Sequence, residues 1–168
     1  EILILFPPRI VRLSLMGLVL IWIAFMSILT RNRIEVWTNS NTLWSDYINK
    51  FPSHYLGYLS RGSDFAKRGD YDLAMADLNR AAKYDPFVPE VFEDRGNVFA
   101  ITKEYEKAIA DYSWVLKFNP HKPAILFNRG IAKWLIDDRQ GACTDLKSSS
   151  EMGYSKAEEK HNSLCKTD

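Results

Sequence analysis

The dipeptide Arg-Gly stands at positions 61–62, 95–96 and 129–130, so it returns at one constant interval. Around it the same columns recur in "YLSRGSDFAKRGDYDLAMADL", "FEDRGNVFAITKEYEKAIADY" and "LFNRGIAKWLIDDRQGACTDL". Ala74, Ala108 and Ala142 share one column, Leu78, Tyr112 and Leu146 a second, and Asp77, Asp111 and Asp145 a third. Pro86 and Pro120 close the first two units. Such a period means one small unit copied along the chain, each copy too small to bury its apolar face alone. Within a unit, Tyr58, Gly62 and Phe65, like Phe92, Gly96 and Phe99, recur at i, i+4 and i+7, one face of a helix. Gly62 and Gly96 leave room for a second helix to pack close, and the small Ala74 and Ala108 do the same from the other side. "RGDY" and the matching "TKEY" mark the turn between the two helices, with Gly69 suited to a left-handed cap.

Over residues 55–154 this pattern resembles the tetratricopeptide repeat (TPR), a helix–turn–helix unit with a period of about 34 residues. The resemblance implies an all-α solenoid of three repeats, 55–88, 89–122 and 123–154, stacked into a right-handed superhelix. The third unit is degenerate: Lys133 replaces Phe65 and Phe99, Arg139 replaces Tyr71 and Tyr105, and "SSS" at 148–150 replaces apolar residues. Atypical terminal units are expected where an outer face meets water. Residues 155–168 then read as a capping helix, opened by a capping box of Ser155 and Glu158. At the other end, "NSNTLWSDYINKFP" within 31–54 matches the second half of a repeat, with Trp44 in the Leu78 column and Pro52 in the Pro86 column.

The Arg-Gly pair departs from the commonest TPR pattern, in which Leu usually precedes the glycine. Each arginine is followed, always at the same step, by an aspartate: Arg61 and Asp77, Arg95 and Asp111, Arg129 and Asp145. Two antiparallel helices around a turn bring those positions near each other. The threefold recurrence favours a partly buried ion pair in every unit over two exposed residues. The only cysteines, Cys143 and Cys165, lie at matching distances either side of Gly153. They are either two buried free thiols or a disulfide, and their matching heights on neighbouring helices favour the disulfide. It would close a loop of about 23 residues and place the domain in an oxidising compartment.

Residues 13–30, "LSLMGLVLIWIAFMSILT", carry no charge. At about 1.5 Å per residue they reach roughly 27 Å, close to a bilayer's hydrocarbon thickness. A signal peptide is the competing reading; the length and the missing A-x-A-like site favour a membrane span. Residues 1–12 read as an apolar juxtamembrane segment. Glu1 in place of Met suggests the C-terminal piece of something longer. Arg9 and Arg12 before the span balance Arg31 and Arg33 after it, so charge does not orient it.

Net charge is +1, from 22 Lys and Arg against 21 Asp and Glu. No basic stripe is available to neutralise phosphates, so nucleic acid is not an expected partner. His54 and His121 have no ligand partner at i+3 or i+4, and no phosphate loop or nucleophile motif occurs. The expectation is therefore no catalysis, metal, cofactor or small-molecule substrate within these residues. What remains is surface. The TPR resemblance assigns the concave groove to the first helix of each pair: Leu59, Ser63 and Lys67, then Glu93, Asn97 and Ile101, then Phe127, Ile131 and Trp134. The third group is apolar enough to be either a peptide-binding patch or the surface the capping helix covers. Leu59 and Ser63 occupy two positions where the familiar chaperone-tail clamp needs other residues, which disfavours an acidic tail as ligand.

Two functions follow as expectations. One is a membrane-anchored, bacterial TPR scaffold binding a peptide or protein in its groove. The other is the C-terminal TPR domain of a polytopic glycosyltransferase. "RNRIEVWTNSNTLWSDYINKFP" after the span looks like the junction of transmembrane-and-TPR O-mannosyltransferases and their bacterial relatives. That resemblance implies repeats on the periplasmic or lumenal side, with the catalytic part outside these residues.

Overall fold

The computed structural model describes residues 8–36 and 38–165, and all the regular structure among them is α-helical. Its helices are α1 (Pro8–Val36), α2 (Ser40–Lys50), α3 (Tyr55–Arg68), α4 (Tyr71–Tyr84), α5 (Pro89–Ile101), α6 (Tyr105–Phe118), α7 (Pro123–Leu135), α8 (Arg139–Glu151) and α9 (Ser155–Leu164). The chain divides into two units, Glu1–Asp46 and Tyr47–Asp168.

In the first unit, α1 continues past the apolar run as far as Val36, so residues 31–36 are helix and not connector. Leu13–Arg31 is long and apolar enough to cross a membrane, and none of that stretch is buried. Leu13, Leu18, Ile21 and Trp22 are each at least 60% exposed. The expected juxtamembrane segment lies partly outside the described residues.

The second unit is built from antiparallel pairs, α3 with α4, α5 with α6 and α7 with α8, and α9 packs on α8. Pairing is close because of what the repeat columns leave out. A Cβ at Gly96 would lie 2.8 Å from the ring of Tyr112, which is almost fully buried. Ala74, Ala108 and Ala142 are fully buried at the same crossings. The main core joins Tyr58, Val91, Phe92, Tyr112, Val115 and Leu126, and so runs through all three repeats.

The turns repeat as strictly as the helices. Gly69 (φ 85°), Lys103 (φ 65°) and Asp137 (φ 68°) share one column of the repeat, and each takes the left-handed conformation. In each turn the following N–H reaches back to a carbonyl near the helix end: Asp70 to Phe65, Glu104 to Phe99 and Asp138 to Lys133, at 2.8–2.9 Å. Those bonds satisfy carbonyls that the helix end leaves open. Only glycine adopts that φ without strain, which costs another residue about 1–2 kcal/mol. Lys103 is exposed. Lys103→Gly is therefore expected to stabilise the domain by about 1 kcal/mol, read as a higher urea midpoint with an unchanged slope.

Two end features differ from expectation. Ser155 does not open a capping box: the N-cap of α9 is Tyr154, which makes no side-chain cap bond, and Ser155 is already helical. The chain enters α9 directly from the left-handed Gly153, so the cap position falls one residue earlier. The serine run of α8 is not simply a solvated face either. Ser149 is fully buried, and its hydroxyl donates to the Pro123 carbonyl at 2.7 Å.

Candidate functional site

The three arginine–aspartate couples meet across their helix pairs. Arg61 Nε lies 2.7 Å from Asp77, Arg95 Nε 2.8 Å from Asp111, and Arg129 Nε 2.8 Å from Asp145, each with a second parallel bond from Nη2. Bidentate geometry of this kind is the strong form of the contact. The arginines do more than pair within their own repeat. Arg95 Nη1 donates to Asn79 Oδ1 and Arg129 Nη1 to Ser113 Oγ, each 3.1 Å away in the preceding repeat. Lys133, standing where the earlier repeats have phenylalanine, adds a second cation to Asp145 at 2.8 Å. Cys143 and Cys165 are joined as a disulfide between α8 and the end of α9.

On the groove side, two hollows adjoin. One, of about 340 Å³, lies between α5 and α7 and is lined by Asn97, Ile101, Phe127, Ile131 and Leu135, with Tyr112 beside them. The other, of about 430 Å³, lies between α3 and α5 and takes in Ser63, Lys67, Asp94, Asn97 and Ile101. Asn97 and Ile101 belong to both. Of the groove residues expected from the sequence, Ser63, Lys67, Asn97, Ile101, Phe127 and Ile131 therefore line a hollow.

The other three are placed differently. Leu59 packs against the hydrophobic core. Glu93 pairs with Lys122 at 2.6 Å. Trp134 lies under the Arg139 guanidinium, 3.7 Å from the ring centroid. The two roles considered for the apolar third group meet in one residue: Phe127 lines a hollow and also touches Tyr154 at the start of α9, with ring centroids 5.3 Å apart.

Sequence reasoning missed Asp94, Asn128 and Tyr112. The Ser63 hydroxyl bonds the Asp94 carboxylate, and Asn128 Nδ2 donates to Asn97 Oδ1 at 3.2 Å. Both links join the same two columns, running from one repeat to the next. A hydrogen-bonded row thus follows the groove along the stack. The polar column Ser60, Asp94, Asn128 was the available signal. Tyr112, which shares a repeat column with Leu78 and Leu146, also donates its hydroxyl to Asn97 Oδ1 at 2.9 Å, and burial raises the proton affinity of that phenol. Burial likewise pushes the Asp94 carboxyl above its ordinary value, although the Ser63 bond pulls it down.

Residues 96–136 match the sequence model of the TPR repeat. No curated protein sequence matches the chain significantly. Among solved structures, the first TPR of Spaghetti (RPAP3) bound to the HSP90 peptide SRMEEVD superposes with a TM-score of 0.62 at 20% identity, covering 66% of this chain and 89% of that one. The second TPR domain of human RPAP3, in complex with the HSP70 peptide SGPTIEEVD, gives 0.61 at 20% identity, over 66% and 93%. MamA (41-end) from Desulfovibrio magneticus RS-1 gives 0.66 at 14% identity, over 77% and 75%. The stack has the fold of a TPR solenoid. It resembles TPR domains that hold peptides.

Proposed function

We propose that this chain is a TPR interaction scaffold that holds a peptide or protein segment in its concave groove and is anchored to a membrane by α1. The observation that carries the groove reading is the pair of adjoining hollows, one without a charged lining residue and one lined by Lys67 and Asp94, sharing Asn97 and Ile101. An extended segment can place one side chain in each while the hydrogen-bonded row of Ser63, Asp94, Asn97 and Asn128 offers polar partners to its backbone. Partial exposure of Ile101 and Leu135, 54% and 53%, leaves apolar area for a ligand to cover. The length and uncovered apolar surface of Leu13–Arg31 support the anchor. The Cys143–Cys165 bond supports an oxidising, periplasmic or lumenal side for the solenoid.

The test is capture of partners from membranes by the full chain and by its Phe127→Ser, Ile131→Ser double variant. Partners retained by the parent are expected to fall at least tenfold with the variant, while the far-ultraviolet dichroism stays helical. Equal capture by both would remove the apolar hollow as the binding site.

A further inference from the structure

The two hollows differ in the charge they carry: the one between α5 and α7 has no charged lining residue, and the one between α3 and α5 has Lys67 and Asp94. The one between α5 and α7 has aliphatic and aromatic walls, from Ile101, Phe127, Ile131 and Leu135. The one between α3 and α5 holds a carboxylate, Asp94, half-buried and bonded to the Ser63 hydroxyl. Two further acids, Glu90 and Glu93, stand on the same helix and raise the proton affinity of Asp94. Glu93 is neutralised by Lys122. Asp94 has no such cation in contact: Lys67, across the hollow, attracts it without forming an ion pair among the described residues. A carboxylate taken partly out of water and given only a hydroxyl loses hydration that the protein does not replace. A perturbed ionisable group in a cleft is a candidate for ligand contact.

Resting on the groove reading above, we propose that the occupant is an extended peptide segment with an apolar side chain for the α5–α7 hollow and an arginine or lysine that pairs with Asp94. The cation completes the hydrogen-bonding of Asp94 in a half-buried setting, where a charge-assisted bond is stronger than in water. The apolar anchor supplies area, and the basic residue supplies direction, since only one polarity of the segment puts both side chains in their hollows. An acidic segment meets Glu90 and Asp94, which Lys122 does not neutralise, and is disfavoured.

Panning a phage library of randomised dodecapeptides on the full chain in detergent tests this directly, with Asp94→Asn, Asp94→Lys and Ile131→Ser variants panned in parallel. The expected result is enrichment of Arg or Lys close in sequence to Leu, Phe, Ile or Met. Asp94→Asn should lose the basic preference but keep the apolar one, and Asp94→Lys should exchange it for an acidic preference. Synthesised winners should bind the parent at least tenfold more tightly than their Arg→Glu counterparts, with the gap narrowing as salt rises. Asparagine is isosteric with aspartate and keeps an acceptor for Ser63, so Asp94→Asn reports charge and not folding. Peptides enriched for apolar residues with no charge preference, or a basic preference unchanged in Asp94→Asn, would overturn this inference and leave the groove reading in place. Failure to enrich any peptide on the parent would overturn both.

Discussion

Asp111→Ala is expected to lower the unfolding free energy by about 3–5 kcal/mol, the range for removing one partner of a buried ion pair. The Asp111 side chain is 8% exposed and that of Arg95 19%, so solvent screens the pair little. Arg95 gives Asp111 two parallel bonds of 2.8 Å. Without the carboxylate, the guanidinium keeps Asn79 and the face of Phe92, 5.0 Å away, but has no counter-charge. The cost therefore lies in the stranded cation more than in the lost contact. It follows that Arg95→Met with Asp111→Leu should recover most of the loss, because two apolar side chains strand nothing. Urea unfolding of the parent, the single and the double variant measures both steps. A single-variant loss under about 1 kcal/mol would mean the pair behaves as an exposed one. The effect should also spread beyond the second repeat, since Arg95 ties α5 to the α4 residue Asn79. Hydrogen exchange along α4 is the readout.

The second large effect concerns the other end of the stack. Cys143→Ser with Cys165→Ser, or reduction of the parent, should cost about 3 kcal/mol, as expected for a loop of this size. The bond joins positions 22 apart in sequence and closes α8, Gly153 and α9 into one ring. α9 has little else to hold it, Ala157 being its single buried residue among those described. The loss should accordingly appear first in α9, as faster amide exchange at reduced denaturant, with the first two repeats protected as before. Tyr154 loses its fixed entry into α9 in that state, and its contact with Phe127 loosens. Groove affinity should therefore fall together with cap protection. Mass measurement after alkylation of unreduced, denatured protein checks the bond itself. Two alkylated thiols in protein taken from unreduced cells would remove the support for an oxidising compartment.

Much of the fold is legible because a repeat writes its constraints many times over. The constant period, the column of Gly62, Gly96 and Gly130 and the alanines that follow each at a fixed step identify helix pairs before any coordinates. Each column reports the same close crossing, so accidental matches cancel and shared ones stand out. The fixed step from arginine to aspartate is visible for the same reason: it lies within a single pair of helices, where local geometry sets the distance.

The groove was legible only in part. Helical periodicity shows which side of α3, α5 and α7 faces away from its own partner. It does not show how that side is shared between the neighbouring repeat and solvent. That division depends on the rotation of each repeat against the next, a long-range packing outcome that no single unit encodes. It sends Leu59 to the core, and Asp94 and Asn128 into the groove row. The sequence alone therefore determined the repeated unit, its period and the arginine–aspartate couple inside it. Only the tertiary structure decided which side chains of neighbouring units meet, because those contacts arise from stacking and carry no period of their own within one repeat.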